Sequence, residues 1–525
     1  MSHLNYEGVR YSVRPGECAL DALVRGGARV SFSCRKGSCR ACLLRSSKGD
    51  PGTDAQRELT PEMKARGYFL PCLAHPREDL ALEPADLRAL FTRAVVQAKT
   101  PLSPDVVGLT VETETRFDWR AGQYVNVRRP GHDAARSYSL ASIPEEDYYV
   151  ELHVRRVPGG AVSPWLCDEL TPGDTIELQG PLGRCVYDPT DQDRPLLLIA
   201  GGTGLAPLVG VARDALRRGH RGAVTLAHGA RQRAGLYLHD RLTALAARHP
   251  NFTYIPCVSE GAPGEDARGA TVTDAAFGAV TDLGGWSVYL AGSPEMVYAA
   301  RPRAIALGAE REHLHADPFT TGAPFMPDDR AKLASIAPDP ELWAALEEGP
   351  RLRRILTNFY ARVFADARLA PYFQRVTRER VIDKQYEFLA MIFSGTTGYF
   401  GLNPFNAHHW MVIDEDLFDH RERIFTDVLR EDGLAEHLVR RWEALHERFR
   451  REMVKAAPRG LVIDGREMPV EGYSRETLVV GTICDGCGAE MPEGSVGSMH
   501  VRTGQLFCQA CWKHDGRAPS VRPRA

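Results

Sequence analysis

The chain has 525 residues, is 43% hydrophobic and 25% charged, and carries a formal net charge of -3 with twelve cysteines. Charge this close to neutral gives no basis for a nucleic-acid or membrane-surface partner, and the length predicts roughly three to four domains at about 150 residues each. No early stretch joins basic residues to an apolar run, and the longest apolar core, PLLLIAGG, is far too short to span a bilayer, so a cytoplasmic protein is expected.

The cysteines are clustered. Four fall between Cys34 and Cys72 and four between Cys484 and Cys511, while Cys18, Cys167, Cys185 and Cys257 stand singly among apolar neighbours. Without a secretory context, the quartets read as metal sites and the single cysteines as small buried hydrophobes. CRKGSCRAC gives Cys34-x4-Cys39-x2-Cys42, and Cys72 follows in FLPCLAHP. This is the plant-type [2Fe–2S] ligand spacing. Gly37 and Ser38 let the loop wrap tightly and turn amides toward the sulfurs; zinc is the alternative, which the four-residue gap suits less well. With ECALDALVRGGARVSFSC upstream, the segment resembles ferredoxins. The resemblance implies an α+β (β-grasp) domain over 1–88, with Cys34, Cys39, Cys42 and Cys72 holding the cluster and a redox partner protein as one option. Cys18 and Arg40 stand where ferredoxins often carry a hydroxyl residue and a glycine.

Beyond it, GQYVNVRR and DYYVELHVRRV alternate in hydropathy between Pro/Gly turns, which predicts an antiparallel β-barrel. RPLLLIAGGTGLAPLVGVARDAL then reads as strand, Gly-rich turn and helix, an arrangement that offers amides and a helix N-terminus to a pyrophosphate. The order RSYSL, GGxxS, GPLG, GGTGLAP and AGSPEMV resembles the ferredoxin–NADP reductase superfamily. That resemblance implies a flavin-binding barrel over 89–190 and an α/β NAD(P)-binding fold over 191–325. It places Tyr138 on the isoalloxazine, Ser139 at its reactive nitrogen in a catalytic role, and Arg136 at a flavin phosphate with Gly160 and Ser163. Gly201, Gly202, Thr203 and Gly204 would carry the dinucleotide, and Phe319 would cover the flavin or serve as core. FAD is expected, with FMN the alternative. Ala291 stands where many members have cysteine, and Arg231 and Arg233 would hold a 2′-phosphate or be solvated; NADH is favoured over NADPH.

A Pro-rich linker (326–340) precedes a helical segment, 341–458. Leu352, Ile355, Leu356, Phe359, Tyr360, Val363 and Phe364 form one helical stripe, and Ile382, Gln385, Phe388, Leu389 and Ile392 another. An amide among apolar residues needs a hydrogen-bond partner, so Tyr360 and Gln385 alone read as a core pair as readily as a site. The Phe-Tyr pair, Lys384-Gln385, GTTGYFG and the following histidines resemble a truncated (2-on-2) globin. The resemblance implies an all-α fold, haem b on a proximal histidine, and hydrogen bonds from Tyr360 and Gln385, as catalytic groups, to a ligand on the iron. Helical spacing leaves His408 and His409 equal in NPFNAHHWMVIDEDLFDH. Family register expects apolar residues at +3 and +5 and phenylalanine at +10. His408 meets it with Met411, Ile413 and Phe418, whereas His409 would have Val412, Asp414 and Asp419.

After a second linker (459–479), the segment 480–525 carries CDGCG and FCQACW. Cys484, Cys487, Cys508 and Cys511 read as a structural zinc site in a small zinc-ribbon-like module. A rubredoxin-type iron is the rival: Gly488 fits it but Trp512 does not. His500 and His514 are read as bystanders.

The modules together resemble flavohaemoglobins and the electron-supplying components of oxygenases. They imply a self-sufficient haem oxidoreductase passing electrons from NAD(P)H through flavin and [2Fe–2S] to a globin. O2 and NO are its expected ligands, and nitric oxide dioxygenation its expected chemistry. The alternatives are an oxygenase reductase component with a gas-sensing globin, and an O2, NO or redox sensor.

Overall fold

The computed structural model describes residues 2–14, 17–28, 30, 42–56, 59, 61–86, 91–115, 117–132, 134–319, 329–373, 376–396, 399, 401–455, 459–463, 466–467, 473–478, 481–500 and 506–512. Of the expected ligands, Cys34 and Cys39 lie outside these residues, as do Gly37, Ser38, Arg40 and His514. Among the described residues no helix is long and apolar enough to cross a membrane. The chain divides into two compact units, one of 1–85, 324–434 and 449–525, the other of 86–323 and 435–448.

In the first unit, a five-stranded sheet runs in the order Val9–Ser12, His3–Tyr6, Leu80–Pro84, Leu44–Lys48, Tyr68–Phe69. His3–Tyr6 and Leu80–Pro84 pair in parallel, and Leu4, Leu44, Leu80 and Phe69 are buried with Ala19 and Leu23 of the helix Ala19–Arg25. This is the expected β-grasp.

The helices of the same unit follow their apolar stripes. Pro350–Ala365 starts on Pro350, whose fixed φ suits a first helical position, and buries Leu352, Ile355, Leu356, Phe359, Tyr360 and Val363. Arg378–Ser394 is capped by the Thr377 hydroxyl and ends at Gly395 with φ +73°, the left-handed stop that glycine adopts without strain. The histidine stretch differs from the helix its spacing had implied. Only Pro404–Ala407 is helical, a single turn with His408 at its C-terminal cap. His408–Trp410 form a turn, and a helix resumes at Glu415–Glu431 with Asp414 as its N-cap. Tertiary bonds override the local pattern here. Lys455 donates its amine to the His408 carbonyl (2.7 Å), and the Lys455 amide donates to Ile413 (2.8 Å).

At the C-terminal end, Tyr473–Thr477, Val496–His500 and Leu506–Phe507 form a three-stranded antiparallel sheet beside the short hairpin Thr482–Ile483/Glu490–Met491.

The second unit contains a six-stranded antiparallel sheet ordered Val150–Arg155, Val106–Thr113, Thr92–Ser103, Thr175–Leu182, Tyr124–Arg128, Ala135–Ser139. An antiparallel bridge between Leu140 and Leu152 brings its two outer ends together, which makes it a barrel around Leu109, Val125, Val127, Leu152 and Leu178. A parallel sheet follows in the order Arg268–Gly269, Phe252–Val258, Val224–Ala230, Leu196–Gly201, Ser287–Gly292, Leu314–Pro318. Strand order reverses between Leu196–Gly201 and Ser287–Gly292, and in such sheets ligands bind beyond the strand ends at the reversal. The same unit holds the helix Glu436–Arg448. Its Glu447 pairs with Arg301 (2.9 Å) and Arg311 on and after the helix Pro294–Ala306.

Candidate cofactor sites

Both glycine motifs meet at that reversal. Gly201–Gly204 end one central strand, and Gly292-Ser293 end its neighbour. A Cβ on Gly204 would lie 2.0 Å from the Ala291 carbonyl, so only glycine lets the two chains approach this closely. At Gly202, φ is +55° and the Arg155 guanidinium stands 2.8 Å from where a Cβ would be. This leaves an open turn with a cation beside it, which fits a dinucleotide pyrophosphate; Arg155 was not singled out from sequence, where VRRV read simply as strand. Ser293 caps the next helix by accepting from Met296 N–H at 3.3 Å.

On the barrel, Arg136 and Tyr138 lie two apart on Ala135–Ser139 and so share one face. Tyr138 packs against the barrel core, as Trp165 and Cys167 do, and burial pushes its hydroxyl well above the usual range. Ser163 is buried and accepts from Val157 N–H at 3.0 Å, and a Cβ on Gly160 would meet both Val157 O and Ser163 Oγ at about that distance. These residues fit a flavin phosphate cradle. Ser139 donates to Asp317 Oδ2 at 3.2 Å, and burial pushes the Asp317 carboxyl up to about 6. Asp317 was missed by the sequence reading; its only signal was an acid two positions before Phe319 at a strand end. Phe319 donates its amide to the Gly292 carbonyl (2.7 Å), which ties the last strand to the nucleotide site. Arg233 is held by Asp266 (2.5 and 2.8 Å) and by the Pro263 carbonyl.

In the helical segment, the Tyr360 hydroxyl donates to Gln385 Oε1 at 3.3 Å, and burial raises the Tyr360 pKa. Phe359 and Phe373 lie against the tyrosine ring at 5.0 and 6.1 Å. His408 Nδ1 lies 2.8 Å from the Pro404 carbonyl, and burial lowers its pKa to about 4. A neutral imidazole whose Nδ1–H is committed to a carbonyl keeps Nε2 as a lone-pair donor, the state an iron ligand requires. His409 makes a similar bond to the Asn406 carbonyl (2.7 Å), so this bond does not separate the two. Nor does the backbone: the His408 carbonyl takes the Lys455 amine, and the His409 carbonyl takes the Arg459 amide (2.9 Å).

Of the first cysteine quartet, Cys42 and Cys72 are described and buried, and the Cys72 loop is held by Ala19 N–H to Ala74 O (2.8 Å) and Leu20 N–H to Pro71 O (3.1 Å). Buried thiols in a loop pinned by backbone bonds fit cluster ligands. The second quartet is complete: the Sγ atoms of Cys484, Cys487, Cys508 and Cys511 all lie within 4.8 Å of one another. Burial raises the Cys484 thiol, yet amide N–H groups of Cys508, Cys487 and Gly486 outweigh it and hold it at about 7. Four convergent sulfurs with amides aimed at them fit tetrahedral zinc.

Four family profiles cover these sites. They are a 2Fe-2S iron-sulfur cluster binding domain at residues 2–77, an oxidoreductase FAD-binding domain at 93–187, an oxidoreductase NAD-binding domain at 198–302 and a bacterial-like globin at 342–455. The chain therefore carries binding domains for [2Fe–2S], FAD, NAD(P)H and globin haem. It is 38% identical over 324 residues to the reductase subunit of an aromatic O-demethylase from Amycolatopsis sp., covering 60% of this chain and 97% of that one. The reductase component of a phenol 2-monooxygenase from Pseudomonas sp. is 37% identical, with 55% and 85% covered. A crystal structure of an Amycolatopsis cytochrome P450 reductase is 36% identical with a TM-score of 0.44, covering 61% of this chain and 99% of that one. At 38% identity across nearly the full length of a relative, the chain belongs to the NAD(P)H-dependent flavin and iron–sulfur reductase components, here extended by a bacterial-like globin segment.

Proposed function

We propose that the protein is a self-contained NAD(P)H-dependent haem oxidoreductase whose globin carries out nitric oxide dioxygenase-like chemistry on O2 and NO. The observation that carries this reading is the Tyr360–Gln385 hydrogen bond (3.3 Å) between two helices, with the Phe359 and Phe373 rings against the tyrosine, encoded in the same chain as the flavin- and nicotinamide-binding domains of a reductase. When bound, flavin converts a hydride pair from nicotinamide into single electrons, and haem held by one histidine offers an open position to a diatomic gas.

The chain's own residues prepare each step. Arg155 and the Gly201–Gly204 turn bind the dinucleotide pyrophosphate, with Arg136, Gly160 and Ser163 on the flavin phosphate and Tyr138 against its ring. Arg233, already paired with Asp266, faces a carboxylate that would repel a 2′-phosphate, which favours NADH. Ser139 relays a proton to or from Asp317 Oδ2. With haem bound, His408 would hold the iron, and the Gln385 amide, oriented by the Tyr360 hydroxyl on its Oε1, would offer its N–H to a ligand there. Cys34, Cys39, Cys42 and Cys72 hold the cluster as a relay or side port, and Cys484, Cys487, Cys508 and Cys511 hold structural zinc.

The test is aerobic NO removal by the purified full-length protein with NADH. Nitrate formed in proportion to NO consumed is the expected result; NADH oxidation that is indifferent to haem ligands overturns it. A second reading has its own support, since the relatives matched nearly end to end are reductase components. It holds that electrons leave through the [2Fe–2S] domain to a separate oxygenase while the globin senses gas, and it requires turnover to depend on an added partner.

A further inference from the structure

The assignment of the Gly201–Gly204 turn to a dinucleotide pyrophosphate, on which this inference rests, leaves open what aims the Arg155 guanidinium at it. Arg155 ends the strand Val150–Arg155. Side chains alternate along a strand, and Val150, Leu152 and Val154 point into the barrel core. Arg155 therefore points the other way, out of the barrel and onto the glycine turn. Its Nη2, Nη1 and Cζ stand 2.8, 3.0 and 3.2 Å from where a Cβ on Gly202 would lie. The terminal nitrogens of the fork face the turn.

Nε has a different partner. It lies 3.1 Å from Asp105 Oδ2, in the tight connection between the strands Thr92–Ser103 and Val106–Thr113. Asp105 is itself fixed at two points. The Ser103 hydroxyl donates to its Oδ1 at 2.9 Å, and its carbonyl accepts the Arg156 N–H at 2.8 Å. The next arginine has its own carboxylate, since Arg156 Nε meets Asp168 at 2.8 and 3.0 Å, which leaves Asp105 to Arg155.

The Arg155 and Asp105 side chains are 41% and 51% exposed, and an ion pair this wet adds little to stability. Its effect is conformational. An untethered arginine samples many rotamers, and a ligand that engages it must first order it. With Nε tied to a fixed carboxylate, Arg155 is ordered before any ligand arrives. The planar fork offers its five N–H groups in set directions, so Asp105 at Nε and a phosphate at the Nη pair do not compete for one position.

We propose that Asp105 is a positioning residue for the nicotinamide dinucleotide, holding Arg155 aimed at the pyrophosphate and so raising affinity without touching the ligand.

The experiment titrates NAD+ into the full-length, FAD-loaded protein by calorimetry. Asp105→Ala should weaken NAD+ binding by about two- to tenfold, the factor that ordering one long side chain on binding amounts to. In ferricyanide reduction the same factor should appear in the KM for NADH and not in kcat. Should alanine disturb the connection, Asp105→Asn keeps its shape while removing the charge, and must show a loss in the same direction. In an Arg155→Ala background, Asp105→Ala should cause no further loss. Unchanged or tighter NAD+ binding in Asp105→Ala overturns the proposal alone, as does an equal loss in the absence of Arg155. Wild-type NAD+ affinity in Arg155→Ala overturns the assignment of Arg155 to the pyrophosphate, and the proposal with it.

Discussion

Ser139 and Asp317 stand 178 positions apart, one at the end of a barrel strand and one in the last strand of the nucleotide sheet, yet the serine hydroxyl donates to the carboxylate at 3.2 Å. Burial pushes Asp317 up to about 6. Above that pH it is ionised and able to take a proton through Ser139, so electron export from the reductase should rise through pH 6 and then level off. Asp317→Asn should abolish the rise and lower the plateau by about tenfold or more. Ferricyanide reduction by NADH measured from pH 5 to 8 checks this, and an unchanged profile rejects the relay. The linkage runs the same way. The folded carboxyl binds a proton between about 4 and 6 that the unfolded one has lost, so stability falls as pH climbs through that window. Asp317→Asn should flatten that fall.

His408 and His409 separate cleanly by substitution. His408→Ala should leave the protein without a stoichiometric Soret band after haem reconstitution, while His409→Ala should retain it. Because His408 Nδ1 is bound to the Pro404 carbonyl, His408→Gln should not rescue stable haem retention, for it lacks a ring nitrogen held in that orientation. A haem-replete His408→Ala variant would place the ligand elsewhere.

The elements that were legible in the sequence are those whose signal is local. The stripe from Leu352 to Val363, the strand Leu196–Gly201 with its glycine turn, and the CxxC pairs each carry their geometry in residue spacing. What escaped depends on contacts distant in the chain. Asp317 acquires its role from Ser139, and Arg155 from its place over Gly202. The histidine stretch shows the same limit from the other side. Its residues suit a helix, yet the amine and amide of Lys455 and the amide of Arg459 take carbonyls around it, and only one helical turn survives.

The C-terminal module tests zinc independently of redox chemistry. Among its described residues the buried apolar side chains are few, chiefly Met491, Leu506 and Phe507, so metal binding is expected to supply much of its folding energy. Elemental analysis should find about one zinc per chain, lost in Cys484→Ser. Chelation should speed amide exchange across 481–500 and 506–512 while NADH oxidation continues unchanged. Iron in place of zinc would instead give visible absorption at this site and favour the rubredoxin-type alternative.

Glu447 makes the sharpest stability prediction. Its side chain is fully buried, as is nearly all of Arg301, which it meets at 2.9 Å, and Arg311 reaches both Glu447 and Glu443. Removing one member of such a set strands a buried charge, so Glu447→Gln should destabilise the second unit by about 3–5 kcal/mol. Replacing both partners is a different matter: Arg301→Met with Glu447→Met removes the desolvation cost along with the attraction and should be far milder than either change alone. In a chain of several domains one unfolding midpoint is not a defined quantity. Amide exchange in Pro294–Ala306 and Glu436–Arg448 is therefore the proper readout. Both helices should loosen together in Glu447→Gln and recover in the double variant; loosening of one helix without the other would show that the ion pairs do not hold them as a unit.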